Sequence, residues 1–145
     1  MAYGGTKAGT SGSYSQSGMQ GSGKASVWAG NRGIIAGGHY PAMSDVIDYI
    51  NIGTPATAID FGNLSAVRIS MAAVSSGVRA CFAGGYTPGD TADTWIEYIT
   101  VASTGNVTDF GDLNDGHERP GGASDGSMGI FAGGDAPFID SKIML

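Results

Sequence analysis

Apolar residues in this chain come in short runs, and three of the runs end in the same glycine pair. The runs are GIIAGGH at 33–39, ACFAGGY at 80–86 and GIFAGGD at 129–135. An apolar run of this length that stops at two glycines is typical of a buried strand followed by a tight turn. We therefore expect the glycine pairs to define a structural repeat; they are Gly37, Gly38, Gly84, Gly85, Gly133 and Gly134.

Other segments recur between the glycine pairs. VIDYINI at 46–52 matches WIEYITV at 95–101, and both are rich in the β-branched and aromatic residues that favour strands. DFGNL begins at residue 60 and DFGDL at residue 109, so both kinds of segment recur at a spacing of 49 residues. A period of this length predicts a tandem array of small structural units.

A third pair of segments decides between helix and strand. The pattern of SAVRISMAAV at 65–74 would also suit a helix. Its counterpart, NDGHERPGGA at 114–123, holds a proline and a glycine pair, which both disfavour a helix. The small-residue segments 71–77 and 120–126 are therefore predicted as a strand or turn, and the fold as all-β.

The chain divides into an arm and a repeat region. Residues 1–25 are rich in Gly and Ser and have too few large apolar side chains to fold alone. The repeat region covers 26–145. Its copies span about 33–79, 80–128 and, in part, 129–145.

Composition and charge remove several classes of function. The 26 glycines and the charged fraction of 14% fit short strands and tight turns better than a helical bundle. The net charge of −6 repels phosphate backbones, so we expect no nucleic-acid partner. No apolar stretch has the length of a membrane span or the pattern of a signal peptide. We therefore expect synthesis in a cytoplasm and no membrane partner.

An Asp-Phe-Gly triplet holds magnesium in protein kinases, and this chain has two of them. No HRD loop or VAIK-type lysine accompanies either, and the chain is too short for a kinase domain. Two copies favour a structural position, in which Phe fills the gap between sheets, Gly turns the chain and Asp caps backbone amides. We predict no catalytic residue and no cofactor. The structural residues are Asp60, Phe61, Asp109 and Phe110.

Few side chains are suited to metal binding or nucleophilic catalysis. His39 and His117 are predicted as turn residues, since only a subunit interface would bring them together on a metal. Cys81 stands where other copies have Ile34 and Ile130, so it is predicted as a small buried hydrophobe; as the single cysteine it has no intrachain disulfide partner. Calcium binding by loop carboxylates stays open, although their spacing favours solvated turns. These carboxylates are Asp90, Asp93, Asp112 and Asp115.

Three aromatic residues form a candidate contact surface. Tyr40 and Tyr86 follow the glycine pairs, and Trp95 opens a strand beside a loop rich in Thr and Asp. Aromatic rings beside polar groups commonly stack on sugars. The sequence thus offers a binding site for a host surface glycan or receptor, with packing as the other interpretation of Trp95.

The repeat resembles the kelch repeat. IFAGG corresponds to its apolar strand, IEYI to its acidic and aromatic strand, and DFGDL with a small-residue segment completes the unit. The usual tryptophan is absent, and Phe61 and Phe110 stand near its place. The order AGG, IEYITV, STGN and DFGDL is similar to tandem arrays in tail-fibre-like and other virion proteins of cyanophages and marine phages.

The resemblance implies four-stranded β-propeller blades, about two complete and a third in part. Open sheet edges need neighbours, so we expect a homo-oligomer, a dimer or a trimer, with strands exchanged between chains. SVWAG at 26–30 stands in the slot of the last blade strand, and Ile143 in the slot of Ile47.

The function implied is that of a non-enzymatic phage virion protein of the tail, fibre or capsid. Its expected location is the virion, and its arm is expected to dock on another virion protein. The alternative is a carbohydrate- or host-receptor-binding adhesin that uses the three aromatic residues.

Overall fold

The computed structural model of the protein describes residues 31–54, 56–89 and 91–135 and the backbone of 143–144. Every regular element in these residues is a β-strand, and all pairings are antiparallel. The strands form three sheets and one two-stranded ribbon. The all-β class predicted from the sequence is therefore confirmed.

Each sheet follows the order of the chain. The first sheet joins β1 (Arg32–Ala36), β2 (Val46–Asn51) and β3 (Ile59–Asn63). The second sheet joins β4 (Ala72–Ser75), β5 (Arg79–Ala83), β8 (Trp95–Thr100) and β9 (Thr108–Asp112). The third sheet joins β10 (Gly121–Ser124), β11 (Gly129–Ala132) and β12 (Ile143–Met144). The ribbon pairs β6 (Tyr86–Thr87) with β7 (Thr91–Ala92).

The DFG triplet marks a β-bulge in the outermost strand of a sheet. In the first sheet Ile47 pairs with Gly62 and Asp48 pairs with Asp60, which leaves Phe61 as the extra residue. The second sheet has the same irregularity at the same place in its repeat. A bulge bends the strand and re-aims its side chains. The triplet glycine therefore lies inside a strand, and the prediction that it turns the chain is wrong.

The small-residue segments form the first strand of the second and third sheets. β4 pairs with β5, and β10 pairs with β11, which confirms that neither segment is a helix. Small residues let these strands approach each other: a Cβ on Gly122 would lie 2.9 Å from the Ala73 carbonyl oxygen. The second and third sheets thus each begin with a small-residue strand that comes directly before the glycine-pair strand in the chain.

The glycine pairs adopt the turn conformation that the sequence predicts. All six glycines have positive φ, a region that other residues avoid. The segment connecting one sheet to the next runs directly beside them. A Cβ on Gly37 would overlap the Arg68 carbonyl oxygen, and a Cβ on Gly84 would lie 2.6 Å from that of His117. Gly85 donates its amide hydrogen to the same His117 oxygen at 2.8 Å.

Two apolar clusters hold the three sheets in a stack. The first lies between the first and second sheets and includes Ile47, Phe61 and Phe82. The second lies between the second and third sheets and includes Leu113 and Phe131. The order along the stack is therefore first, second and third sheet.

The third sheet keeps the register of the other two. In each sheet the alanine before the glycine pair lies opposite an isoleucine of the next strand: Ala36–Ile47, Ala83–Ile96 and Ala132–Ile143. Ile143 thus occupies the slot of Ile47, as predicted. The segment 26–30 and the arm 1–25 lie outside the described residues. No helix long and apolar enough to cross a membrane occurs among the residues described.

Candidate functional site

Three charged side chains are buried between the first and second sheets; we call Arg68, Asp93 and Glu97 the buried charge cluster. Nη2 of Arg68 donates a hydrogen bond to a carboxylate oxygen of Glu97. Nη1 of Arg68 lies 3.5 Å from an oxygen of Asp93 and donates to the Trp95 carbonyl at 3.3 Å. Arg68 is fully buried, and Asp93 and Glu97 are 8% and 4% exposed. The cluster is therefore almost completely withdrawn from water.

Each member of this cluster is held in place by a feature of the repeat. Arg68 lies on the segment that leaves β3 and passes beside the first glycine pair. Asp93 precedes β8 and accepts the Trp95 amide hydrogen at 3.1 Å. Glu97 lies on β8 opposite the bulge of β9, and its second oxygen accepts the Ser65 amide hydrogen at 3.3 Å. The cluster thus ties β8 of the second sheet to the segment that leaves the first sheet.

The geometry suits a structural clamp. Removing two carboxylates and a guanidinium from water is costly, and only mutual pairing with hydrogen bonds offsets that cost. The charge-assisted bonds of a guanidinium with carboxylates also fix the orientation of both partners. No part of the Arg68 side chain reaches the surface, so the cluster is placed to hold two sheets together rather than to bind a substrate.

His117 holds the place of Arg68 in the next repeat, 49 residues on, between the second and third sheets. It is 1% exposed, and neither ring nitrogen has a hydrogen-bond partner among the described residues. At the position of Glu97 the third sheet has Met144, since Met144 pairs with Phe131 as Glu97 pairs with Phe82. His117 was predicted as an ordinary turn residue; its loop position is confirmed, and its burial was not foreseen.

The three aromatic residues proposed as a contact surface differ in exposure. Tyr40 follows β1 and is 95% exposed. Trp95 opens β8 as predicted, is 41% exposed, and has the Arg68 guanidinium 5.7 Å from its ring centre. Tyr86 is half-buried in β6, where its backbone bridges to Ile69. No ring contact joins these three residues in the described part of the chain, so they are not brought together as one aromatic platform.

The Asp residues of the triplets and loops also lie apart. Asp109 accepts the Gly111 amide hydrogen at 3.0 Å, which confirms the predicted capping role for this copy. Asp60 is exposed in β3, opposite Asp48. Asp112 accepts the Thr94 hydroxyl hydrogen.

Of the four loop carboxylates considered for calcium, Asp93 belongs to the buried charge cluster and Asp90 lies outside the described residues. Asp112 and Asp115 are exposed. Within the described ranges no three His, Cys, Asp or Glu side chains are grouped so as to hold a metal ion. His39 is exposed and its backbone bridges to Met43, in the loop where the sequence predicts a turn.

A groove of about 640 Å³ lies between the second and third sheets. Its apolar lining includes Cys81, Ile96, Phe110 and Phe131, and Arg79 contributes its charged end. Burial raises the pKa of the Cys81 thiol, and the charge of Arg79 opposes that shift. Cys81 packs against the second apolar cluster as a small hydrophobe, but it is half-buried rather than buried as predicted.

Arg68 and Glu97 are the residues that the sequence analysis missed as a pair. Neither residue was assigned to a site from the sequence. The signal lay in the repeat: basic residues recur at 68 and 117, and acids recur at 48 and 97.

No protein-family model matches the chain, and no curated protein matches it significantly in sequence.

Proposed function

We propose that the protein is a non-enzymatic structural component of a phage virion, in the tail, fibre or capsid, and that it works by subunit assembly. The stack of short antiparallel sheets supports this proposal, because such arrays are stabilised through neighbouring units. The small-residue first strands, which approach one another closely, are also what the inner strands of propeller blades require. A kelch-like propeller completed by two or three chains is the architecture we propose.

One observation supports the proposal most directly: exposed apolar residues on the outer face of the first sheet correspond to residues that are buried in the second sheet. Ile35 is 57% exposed, whereas its counterpart in the second sheet, Phe82, is 4% exposed. Ile52 is 62% exposed, and its counterpart Val101 is 6% exposed. In the second sheet these positions pack against the first sheet. An apolar face with this pattern is suited to receiving another sheet of the same kind.

The mass of the full chain in solution tests the assembly. Light scattering with size-exclusion chromatography is expected to give a dimer or trimer at micromolar concentration. The variant Ile35→Asp with Ile52→Asp is expected to lower the mass towards that of a monomer. Ser103→Asp, at an exposed turn after β8, is the matched control. A wild-type monomer at every concentration, with a cooperative melt, would overturn the proposal.

The virion location needs a separate measurement. If the chain is a structural component, mass spectrometry of purified particles from the phage that encodes it will detect it in stoichiometric amounts. Its absence from particles, with abundant protein in the lysate, would contradict the proposed location.

An adhesin is the second candidate, and the exposure of Tyr40 favours it. A tyrosine ring that is 95% exposed in a loop is available to stack on a sugar. Glycan-array binding that falls on alanine substitution of Tyr40, Tyr86 and Trp95 would support this function. If the protein binds none of the glycans on the array, the adhesin function is contradicted and the structural role in the virion remains as the proposal.

A further inference from the structure

The second sheet repeats, on the side of the third sheet, an apolar wall that the first sheet turns towards the second. In the first sheet this wall consists of three buried residues, Ile47, Phe61 and Leu64. The residues 49 positions later are Ile96, Phe110 and Leu113. All three line the groove beside the third sheet. We call these three residues the outer wall of the second sheet.

The third sheet covers this outer wall only in part. Phe131 belongs to the second apolar cluster as its counterpart Phe82 belongs to the first. The places of Ile99 and Val101, which are both buried in the first cluster, are taken by no described residue of the third sheet. Phe110 consequently stays 57% exposed. The groove is therefore the space that this partial cover leaves open.

Two basic side chains next to the outer wall lack the partners that their counterparts have. Arg32 donates to a carbonyl of the second sheet at 2.7 Å, whereas the guanidinium of its counterpart Arg79 has no acceptor among the described residues. Arg68 pairs with Glu97, whereas its counterpart His117 is buried without a hydrogen bond to either ring nitrogen in the described part of the chain. Polar groups left in this way are costly. The outer wall thus lacks polar as well as apolar contacts.

The outer face of the first sheet carries the missing apolar groups. Ile50 and Ile52 are the counterparts of Ile99 and Val101. A Cβ on Gly33 would lie 3.2 Å from Ile50 and 3.5 Å from Ile52, so these two side chains share one face of the sheet. Ile52 is 62% exposed. Apolar residues of the required kind are therefore available on a surface that nothing covers among the described residues.

The polar groups of this face are also in the required register. The Ile52 amide donates to the Asn31 carbonyl at 2.6 Å, as the Val101 amide donates to the Val78 carbonyl at 2.9 Å. The backbone at Ile52 is thus held as it is at Val101, whose carbonyl oxygen accepts the arginine hydrogen bond in the first interface.

An acid completes the set. Asp48 lies opposite Ile35 in the first sheet, as Glu97 lies opposite Phe82 in the second. Asp48 has no ion pair or hydrogen bond of its side chain among the described residues. The face therefore presents an apolar surface with one unpaired carboxylate, and the outer wall presents an apolar surface with two unpaired basic groups.

We infer that the first sheet of a second copy of this chain docks on the outer wall and displaces the third sheet from it. Ile50 and Ile52 fill the groove, Arg79 donates to the Ile52 carbonyl, and Asp48 faces His117. The last two side chains are shorter than the pair they replace, so a water molecule bridges them. This inference rests on the proposed assembly and names the contact that forms it.

The third sheet is then a provisional cover of the outer wall in the free chain. An equilibrium between two arrangements shifts towards the one with the more favourable contacts. A docked first sheet buries Phe110 and fills the groove, and the third sheet does neither. Exchange is therefore favoured as the concentration of the chain rises. Because the outer face and the outer wall are different surfaces, the contact runs head to tail and closes as a ring.

A disulfide between copies tests the contact. Cys81 lines the groove, and Ile35→Cys places a second thiol on the outer face. The first and second sheets lie between these two positions in a single chain, so a link between positions 35 and 81 joins two copies. Their counterparts in the first interface, Phe82 and Ile34, belong to one apolar cluster. Oxidation by a glutathione disulfide buffer, followed by peptide mapping, is expected to give the 35–81 link as the main product. Ser103→Cys is the matched control and is expected to give no link to Cys81.

Two further variants test the exchange of sheets by sedimentation of the full chain. Phe131→Ala weakens the cover without touching the proposed contact, so it is expected to lower the dissociation constant several-fold. Arg79→Met removes a donor of the contact and is expected to raise the constant several-fold. Arg119→Met, which replaces an exposed arginine that already has an acid partner, is expected to leave it unchanged.

The outcomes separate this inference from the proposed function. An oligomer that forms no 35–81 link, and in which Arg79→Met assembles like the wild type, would overturn the inference and leave the proposed function intact. A 35–81 link in a chain that Phe131→Ala does not make assemble more tightly would overturn the displacement of the third sheet. A chain that is monomeric at every concentration and forms no link contradicts both proposals.

Discussion

Arg68 donates to Glu97 across the gap between the first two sheets, and this bond joins a connecting segment to the middle of a strand. At the corresponding positions of the next repeat the sequence has His117 and Met144, a pair without an acid. The repeat therefore has an arginine and a glutamate at these positions in one copy and a histidine and a methionine in the next. The ion pair is a replaceable element of the repeat, provided that both partners change together.

The first prediction concerns that pairing. Arg68→Met leaves two buried carboxylates without their cation and is expected to lower the free energy of unfolding by about 3–5 kcal/mol. Adding Glu97→Met is expected to recover part of the loss, with a coupling of about 1 kcal/mol or more. Urea unfolding of the single and double variants measures the coupling. Strict additivity of the two substitutions would contradict the clamp.

A surface arginine supplies the control for this cycle. Arg119 pairs with Asp135 at 2.8 Å, but its side chain is 58% exposed. Exposed ion pairs contribute little because water and salt screen them. Arg119→Met is therefore expected to leave the urea midpoint unchanged within error.

The second prediction compares the two triplet phenylalanines. Phe61 and Phe110 each make an edge-to-face contact with a neighbouring tyrosine at 6.0 Å between ring centres. They differ in burial, at 2% and 57% exposed. Phe61→Ala is expected to cost about 3–5 kcal/mol of unfolding free energy, the range for a large buried ring. Phe110→Ala is expected to cost about 1 kcal/mol, the scale of the ring contact alone.

Dilute protein is needed for this comparison, so that contacts between copies do not contribute. Equal losses of stability in the two variants would show that the groove beside Phe110 is closed in solution.

The third prediction compares two glycines with nearly the same backbone conformation. Gly84 and Gly133 have φ of 64° and 67°. A Cβ on Gly84 would meet the His117 carbonyl oxygen at 2.6 Å, whereas a Cβ on Gly133 would meet nothing within 4 Å. Gly133→Ala is expected to cost about 1–2 kcal/mol from backbone strain. Gly84→Ala adds a steric clash, so its melting temperature is expected to be clearly lower than that of Gly133→Ala.

The fourth prediction follows from the raised pKa of Cys81. The thiolate is the reactive form, so alkylation of the folded protein is expected to keep accelerating at pH values above 9.0, the ordinary thiol value. The same protein in urea is expected to follow the ordinary titration. Because the folded state favours the neutral thiol, its contribution to stability is present below pH 9.0 and is lost as the pH rises through the folded pKa. Coincident pH–rate curves in buffer and in urea would contradict this.

The strands were predictable because each segment of the sequence can be compared with its counterpart in a second copy. A lone SAVRISMAAV fits a helix, and only its counterpart with Pro120 and a glycine pair removes that possibility. Registers of the glycine-pair strands were predictable for the same reason, since Ile47 and Ile143 occupy equivalent positions.

The bulge and the buried charge cluster were not predictable in the same way. A bulge leaves the alternation of side chains looking ordinary in the sequence, so Phe61 is not distinguishable from a regular strand residue. The burial of Arg68 depends on tertiary packing that brings together positions 68 and 97, far apart in the chain. Recurrence of basic and acidic residues at repeat positions marks the candidates, but it does not tell which of them are enclosed.

The strand that opens the second sheet belongs, in sequence, to the preceding copy, because β4 follows the first DFG segment and pairs with β5. The unit that is duplicated in the sequence consequently begins one strand later than the unit that folds as a sheet. Deleting one whole period of 49 residues, such as residues 64–112, removes β4 to β9 and lets Asn63 continue into the segment before β10. A chain with a different number of copies is then reached by gain or loss of whole periods, and no junction requires a new turn or a new pairing.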